Sequence, residues 1–341
     1  MRAQLFTTRI TELLGIRLPI LCGGMGPGVS DARYVAAVVN AGGMGFIMAL
    51  GWSDPEAFRE ELRTCRRLTG GKPFGVNLYI SRQHGGIERA TQQIRVMCEE
   101  KVFCVETAGA SPEPVIPVLR EAGIKVLHKV PAVKYALSAA RFDIDAVIIV
   151  GAECGGHPGI YQIGSMVQAA HGPAAINLPV VIGGGIGTGR QIAATLAMGA
   201  EGVVLGSRML VAEEVWINRK YKEMIAAADG TESIVVKKAL RDHHRVYNNE
   251  SARAVLELDD RKETDFEQYR PHVAGALARE AYRTGDASKG MLDFGPAAVF
   301  ADRIEPLEAI FDRLIDDAAA ALARLHCVST GAAGMQHSHS H

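Results

Sequence analysis

The chain has 341 residues, of which 48 % are hydrophobic and 22 % are charged, the balance of a globular protein with a large core. Its formal net charge of −1 provides no basic field that would attract nucleic acid or an anionic membrane surface. No apolar run approaches the roughly 18 residues of a membrane span, so we expect no transmembrane segment.

The cysteine pattern and the two termini indicate the cellular setting. The six cysteines include no C-x-x-C pair and no disulfide ladder of a secreted scaffold, and the N-terminal segment lacks the apolar stretch of a signal peptide. We therefore expect a cytoplasmic protein with reduced thiols. Residues 331–341, GAAGMQHSHSH, are more typical of a disordered or tag-like tail than of a metal site. Elsewhere no histidine–carboxylate spacing of a metal centre stands out.

Short apolar runs alternate with longer amphipathic stretches from the first residues to about residue 225. The predicted strands cover residues 18–21, 44–49, 74–79, 103–107, 125–130, 146–150, 180–182 and 202–205. The helical patterns between them include residues 31–40, 55–68, 114–122, 133–140 and 188–198. Eight strand–helix units predict an α/β protein with a closed (β/α)₈ TIM barrel over residues 1–225, since an open doubly wound sheet usually has fewer strands.

The pattern changes after the barrel. Residues 226–330 show mainly helical patterns and few strand signals. We expect a helical appendage that packs near the barrel mouth. An elaboration of the outer helical ring is an equally good interpretation.

Two glycine-rich turns follow the seventh and eighth predicted strands. The seventh strand runs into Gly183, Gly184 and Gly185, and the eighth runs into Gly206 and Ser207. Backbone N–H groups of such turns can approach an anion closely, and these two strands commonly hold phosphate in barrels. The G-x-G-x-x-G spacing of a dinucleotide-binding unit is absent. The turns therefore predict a phosphate site for a mononucleotide or a phosphosugar, the alternative being two ordinary tight turns.

The sixth strand leads directly into the loop GAECGGHPG, residues 151–159. His157 in this loop lies at the C-terminal end of a barrel strand, where this fold places its chemistry. A histidine there suits a general base or a hydrogen-bond donor to an oxyanion, although it could also serve only to tie the loop. Cys154 has no second feature that supports a nucleophile and is expected to be a packing residue. His243 and His244 are expected at the surface or between domains.

Three other strand ends carry flexible or polar groups. The first strand ends in CGGMGPG, residues 22–28, the third contains Asn77 and the fifth contains Lys129. A lysine in an apolar strand is costly unless it is paired. Lys129 therefore either faces an anionic ligand at the barrel mouth or pairs with a carboxylate of the core.

Seven motifs occur in order between residues 19 and 210: PILCGGMG, NAGGMGF, KPFGVNL, VLHKV, GAECGGHPG, GGGIGTG and LGSRML. In this combination the chain resembles the nitronate monooxygenase (formerly 2-nitropropane dioxygenase) family of FMN enzymes. That family also contains NADH:quinone reductases and FMN-dependent enoyl-acyl-carrier-protein reductases. The resemblance covers about half of the chain and nearly the whole barrel.

The resemblance implies FMN held without a covalent bond at the C-terminal face of the barrel. The backbone of Gly23, Gly24 and Met25 would lie against the isoalloxazine ring. Asn77 and Lys129 would bond its pyrimidine edge.

The resemblance also assigns the reactive face and the phosphate. Gly156 and His157 would face the reactive side of the ring, with His157 as the catalytic residue. The residues implied for the phosphate are Gly183, which stands where relatives often have serine, Gly185, Gly206 and Ser207.

Some positions depart from the family pattern. Cys22 replaces the glutamine that often precedes GGM, and Pro296 in GDASKGMLDFGP stands where glutamine is common. The loop ECGGHPG resembles the quinone-reductase branch more than the EAGGH form that is frequent in monooxygenases. These departures concern the reaction more than the cofactor.

The activity implied first is oxidation of alkyl nitronates to carbonyl compounds and nitrite with O₂. The alternative is NAD(P)H-dependent, FMN-mediated reduction of quinones or enoyl thioesters. A third, non-oxidative option is a colourless barrel that binds a phosphorylated metabolite. Each option implies a small-molecule substrate and neither nucleic acid nor membrane as a partner. The choice of nicotinamide and the oligomeric state, a homodimer included, stay open.

Overall fold

A closed barrel of eight parallel strands forms the centre of the computed structural model, which describes residues 5–81 and 86–330. The strands are β1 (Ile20–Cys22), β2 (Met44–Met48), β3 (Gly75–Ile80), β4 (Cys104–Gly109), β5 (Lys125–Val130), β6 (Ala146–Val150), β7 (Val180–Gly183) and β8 (Gly202–Leu205). They follow one another in sequence order, and β8 closes the barrel by pairing Val204 with Leu21. The predicted α/β class and TIM barrel are confirmed.

Helices surround the barrel and extend beyond it. Their bounds are α1 (Arg9–Leu14), α2 (Ala32–Asn40), α3 (Pro55–Leu68), α4 (Gly86–Glu99), α5 (Ile116–Glu121), α6 (Val133–Ala139), α7 (Ser165–Ala175), α8 (Gly189–Ala197), α9 (Arg219–Ala226), α10 (Glu250–Asp260), α11 (Phe266–Val273), α12 (Gly275–Thr284) and α13 (Leu307–Thr330). Short 3₁₀ helices cover Ala49–Gly51, Ser207–Val211 and Pro296–Phe300.

The strands separate two apolar cores. In β6 every residue is buried, yet Ile148 belongs to the core inside the barrel while Val147 and Ile149 belong to the core beneath the helices. Successive side chains of a strand point to opposite faces, so a barrel strand covered by helices is apolar without alternation. This arrangement explains why the strands read as continuous apolar runs.

Helix α1 packs against the N-terminal end of the barrel. Its Ile10 and Leu14 are fully buried and belong to the core inside the barrel. The Thr8 hydroxyl, which also caps the helix, donates to the carbonyl oxygen of Glu201 just before β8. With this end filled, ligands have access at the C-terminal end, where the loops after the strands lie.

The segment after α9 contains a hairpin that the sequence pattern did not predict. Strands β9 (Ser233–Val236) and β10 (His244–Tyr247) pair antiparallel and share a small apolar core with α10 and α11. Each strand has only four residues, and β10 (HRVY) carries polar and charged side chains, so apolar alternation is weak and pairing with other parts of the chain determines the structure. The predicted tail, residues 331–341, lies outside the described residues.

Helix α13 belongs to the outer ring, where it packs against α8 and α2. The hairpin instead pairs with the loop after β6, at the barrel mouth. The C-terminal segment therefore divides between the two positions that the sequence left open. Within residues 5–81 and 86–330, no helix has the length and apolar character needed to cross a membrane.

The contact between α8 and α13 fixes the position of the turn that follows β7. Helix α8 begins at Gly189, behind a Thr188 cap whose hydroxyl accepts from the N–H of Gln191. A Cβ atom at Gly189 would overlap the backbone of Leu314 and Ala318 in α13. The two helices therefore approach closely where the glycine turn ends.

Replacing Gly189 with alanine should lower the free energy of unfolding by about 2 kcal/mol, because the new methyl group forces α8 and α13 apart. Urea unfolding followed by circular dichroism measures the change. Gly275→Ala is the matched control, since Gly275 also opens a helix and a Cβ atom there meets nothing within 4 Å. Equal loss of stability in both variants would contradict the packing argument.

Candidate active site

A layer of polar side chains closes the C-terminal end of the barrel interior. Side chains two positions apart on a strand point to the same face. Gly75, Cys104 and Leu127 face the barrel interior, so the residues two positions after them also point inward: Asn77, Glu106 and Lys129. Glu106 is fully buried, and its Oε2 accepts from Asn77 Nδ2 and, at 3.2 Å, from the backbone N–H of Gly24. Its Oε1 lies 3.1 Å from Lys129 Nζ.

Lys129 therefore has the core carboxylate that the sequence left as one of two alternatives. Its side chain still exposes 22 % of its surface, so the ammonium group is accessible from the mouth. A contact to an anionic ligand stays a prediction. Sequence reasoning missed Glu106, although a carboxylate at an inward position of the apolar strand FCVET was a signal for the partner of Lys129.

The glycines after β1 lie directly on this polar layer. A Cβ atom at Gly24 would overlap the side chain of Asn77, and one at Gly23 would come within 3.2 Å of Glu106 Oε1. The backbone N–H of Met25 donates to Ser30 Oγ at 2.9 Å, which holds the turn. The structure thus brings together five residues that the sequence predicted as flavin contacts: Gly23, Gly24, Met25, Asn77 and Lys129.

The turn after β7 has its carbonyl groups bonded and its N–H groups available. The N–H of Gly151 donates to the carbonyl oxygen of Gly183 at 2.9 Å, Ser165 Oγ donates to that of Gly184 at 2.6 Å, and Gln191 Nε2 donates to that of Gly185 at 2.8 Å. Among the residues that the structure describes, the N–H groups of Gly184 and Gly185 have no hydrogen-bond acceptor. Such a turn presents donors to an anion.

The turn after β8 offers space as well as donors. A Cβ atom at Gly206 would meet no atom within 4 Å, which marks open space at this position. The N–H groups of Gly206 and Ser207 have no acceptor in the described part of the chain. Ser207 Oγ accepts from the N–H of Gly295 at 2.9 Å, so its own hydroxyl proton can still be donated.

The histidine loop is held from both ends. Glu153 accepts from the backbone N–H of Ser165 at 2.9 Å, at the start of α7. Burial raises the pKa of Cys154 to about 11, and its thiol donates to the carbonyl oxygen of Gly155 at 2.9 Å. A protonated, packed thiol favours the interpretation of Cys154 as a packing residue rather than a nucleophile.

His157 lies against the hairpin at the barrel mouth. Gly156 and Arg245 exchange two backbone hydrogen bonds, of 3.0 and 2.7 Å, which places His157 opposite His244. The two imidazole rings stack with centroids 4.2 Å apart and planes 18° apart. His244 Nε2 lies 2.6 Å from Asp293 Oδ1. His244 is thus part of the site, and the expectation of a surface or interdomain residue missed this contact.

The charges around His157 disfavour its protonated form. Desolvation and the positive charge of His244 lower its pKa from the ordinary value of 6.5. Because the pKa lies below 6.5, the ring is neutral at pH 7. The side chain still exposes 48 % of its surface. Desolvation raises the pKa of Asp293, but its hydrogen bond with His244 and the nearby positive charges outweigh burial and lower it.

The hairpin spans part of the mouth beside these rings. Asp242 Oδ1 lies 3.6 Å from His157 Nε2 and pairs with Lys237 at the other side of the hairpin. Burial, and after it the negative charge of Asp242, raise the pKa of Tyr79 at the end of β3. The only sequence signal for the residues around His157 that come from the C-terminal segment was GDASKGMLDFGP, which contains Asp293.

The polar layer and the histidine pair both lie near Cys154. The charges of Lys129 and Glu106 from the polar layer, and those of Asp293 and Arg245 from the segments around the histidine pair, all act on its thiol. The backbone of Gly156, predicted to face the flavin, is bonded to Arg245. The mouth of the barrel thus combines backbone N–H groups that can bind an anion, a neutral imidazole and a lysine ammonium group.

A (β/α)₈ barrel with polar groups gathered at the C-terminal ends of its strands has the architecture of an enzyme. Comparison with known proteins gives the family. The model of the nitronate monooxygenase family matches residues 7–317, and the chain belongs to that family of oxidoreductases.

Individual relatives carry several activities in their names. The chain is 30 % identical to a probable nitronate monooxygenase of Staphylococcus saprophyticus, over 82 % of this chain and 89 % of that protein. It is 33 % identical to a hydroxy-methyl-oxo-octahydroindene-carboxyl-CoA dehydrogenase of Rhodococcus jostii, over 71 % of this chain and 66 % of that enzyme.

Two solved structures are similar over nearly their whole length. FabK from Thermotoga maritima has a TM-score of 0.86 and 31 % identity, covering 95 % of this chain and 99 % of FabK. A nitroalkane oxidase from Streptomyces ansochromogenes has a TM-score of 0.78 and 26 % identity, covering 93 % and 99 %. The proteins to which this chain is similar thus carry more than one activity in their names, a nitronate monooxygenase, a CoA dehydrogenase and a nitroalkane oxidase.

Replacing Glu106 with leucine should lower the free energy of unfolding of the flavin-free protein by about 2 kcal/mol, because Lys129 loses its carboxylate. Lys129→Met should also destabilise, since it leaves Glu106 charged and buried. The double variant should lose less than the sum, because neither charge then stands alone.

Chemical denaturation of the wild type, the two single variants and the double variant gives this double-mutant cycle. Glu280→Gln serves as the control, since its pair with Arg283 is solvent-exposed and its loss should leave the unfolding midpoint unchanged. Additive losses in the double variant would show that the two charges do not interact.

Proposed function

We propose that this protein is an FMN-dependent oxidoreductase that oxidises alkyl nitronates to carbonyl compounds and nitrite with O₂. The observation that carries the proposal is the neutral His157 at a barrel mouth whose free backbone N–H groups can bind an anion. It is made in a chain whose residues 7–317 match the nitronate monooxygenase family. A neutral imidazole can donate one hydrogen bond to a nitro oxygen without holding the anion as a fixed ion pair.

The available donors fit a flavin mononucleotide. The N–H groups of the two glycine turns and the open space at Gly206 suit a phosphate, with Gly183, Gly185 and Ser207 in the same turns. Lys129 and Asn77 suit the polar edge of the ring, and the backbone at Gly23 and Gly24 suits its flat face. FMN bound there would supply the redox chemistry between the substrate and O₂.

The chain's own residues bind the substrate and manage protons. His157 holds the nitro oxygens of a nitronate, or takes the α-proton from a neutral nitroalkane onto its unprotonated ring nitrogen. Lys129 supplies positive charge at the polar layer, and Glu106 keeps that charge in place. The hairpin and the loop 151–159 cover His157 on one side and limit the access of water to it.

A second candidate is an NAD(P)H-dependent reductase of quinones or enoyl thioesters. It is favoured by the TM-score of 0.86 to FabK and by 33 % identity to a protein named as a CoA dehydrogenase. In that reaction His157 would donate a hydrogen bond to the carbonyl oxygen of the acceptor. The same cofactor would serve both candidates.

Replacing Gly206 with valine should remove FMN while leaving the fold intact, because the side chain enters open space where the phosphate would lie. Flavin absorbance per protein after reconstitution measures occupancy, and circular dichroism measures folding. Gly206→Ala should lower occupancy less, since it fills less of the space. Full flavin content in the folded valine variant would contradict the assignment of the phosphate site.

Anaerobic mixing of the FMN-loaded protein with a nitronate, NADH or NADPH tests the reaction itself. We expect rapid loss of flavin absorbance with the nitronate. His157→Ala should keep its FMN and slow this reaction by roughly 10²–10⁴-fold if His157 acts on the proton or the oxyanion. His171→Ala, on the exposed face of α7, is the control and should react as the wild type does.

Rapid bleaching by NADH or NADPH without any reaction with the nitronate would favour the reductase instead. A protein that takes up no flavin at all would overturn both candidates.

A further inference from the structure

We propose that His244, anchored by Asp293, is a positioning residue that fixes the plane of the His157 imidazole and opposes its protonation. This inference rests on the proposed function, in which His157 acts on the substrate as a neutral ring. It adds a residue of the hairpin, far from the barrel strands in sequence, to the site.

The backbone fixes the two rings against each other. Gly156 and Arg245 form an antiparallel bridge, so the residues next to them, His157 and His244, must face one another. A second bridge joins Val246 to Asp293 on the same edge of β10, opposite the edge that pairs with β9. One edge of β10 therefore contacts both the histidine loop and the segment that carries Asp293, and the ring stacking follows from this pairing.

The anchor of His244 is a carboxylate at short distance. Its Nε2 lies 2.6 Å from Asp293 Oδ1, and the residue exposes only 8 % of its surface. Its other nitrogen, Nδ1, is buried and makes no hydrogen bond within the described residues. A histidine retained only to tie the fold would be expected to bond both nitrogens, so this ring is poorly explained as a structural tie.

The charges that face His157 come from the hairpin and from the segment beside it. Lys237 and His244 disfavour its protonated form, whereas Asp242 and Asp293 favour it. His244 stacks on His157 with ring centroids 4.2 Å apart, so a positive charge on His244 opposes protonation of His157 at short range. Asp242 and Lys237 pair with each other, whereas His244 is the group that stacks directly on the face of the His157 ring.

Histidine titration by NMR in the full-length, ¹⁵N-histidine-labelled protein tests the proposal without any substrate. His244→Phe keeps an aromatic ring for stacking and removes the charge. In this variant the titration midpoint of His157 should rise by about one pH unit. His157→Ala assigns the signal, and His171→Phe, a matched change on α7, should leave the midpoint unchanged.

A second variant keeps the test valid if the phenylalanine disturbs folding. His244→Gln retains a donor for Asp293 but carries no charge, and it should shift the midpoint in the same direction. The low-pH limb of the kcat/KM profile should move upward with it, at unchanged flavin content, since that limb reports the free enzyme.

An unchanged His157 midpoint in both folded variants would overturn the role of His244, whichever substrate the enzyme takes. Absence of flavin or of nitronate oxidation would instead overturn the proposed function, and the NMR result would still decide on His244. The two failures are therefore distinguishable.

Discussion

The buried carboxylate of Glu106 imposes the constraint on which the mouth of this barrel depends. A charge without solvent must be surrounded by donors, and here it draws Lys129, Asn77 and the backbone of Gly24 to one point. Three strand ends and the turn after β1 are thereby fixed relative to each other. The glycines after β1 are required because the polar layer leaves no room for side chains there.

The second half of the site is organised by contacts between loops. The histidine loop is tied to α7 through Glu153 and to the hairpin through Arg245, while the segment from Asp293 to Gly295 reaches across to Ser207. These contacts join the His157 imidazole to the same turns whose N–H groups are available to an anion. The geometry of the candidate site is thus set by elements distant in sequence, as is common at the C-terminal face of barrels.

The barrel and much of the mouth could be predicted because their signals are local. Apolar runs predicted the strands. Glycine turns at strand ends indicated the backbone N–H groups around Gly184 and Gly206 that can bind an anion. Glu106 carried a weaker local signal, a charge at an inward position of the strand next to the one that carries Lys129. His244 carried none, and Asp293 only its place in the segment GDASKGMLDFGP, since the two residues are 49 positions apart and meet only through pairing of a short hairpin. Such contacts depend on tertiary structure rather than on periodicity.

The close packing of the histidine loop on the segment around Gly295 has a consequence for grafting loops between relatives. The backbone N–H of Gly295 would lie only 2.8 Å from a Cβ atom at Gly155, so each loop constrains the residue types of the other. A chimera that imports one loop alone would bring an unmatched surface to the mouth. Residues 151–159 and 285–296 should therefore be exchanged as one unit, together with the hairpin between them.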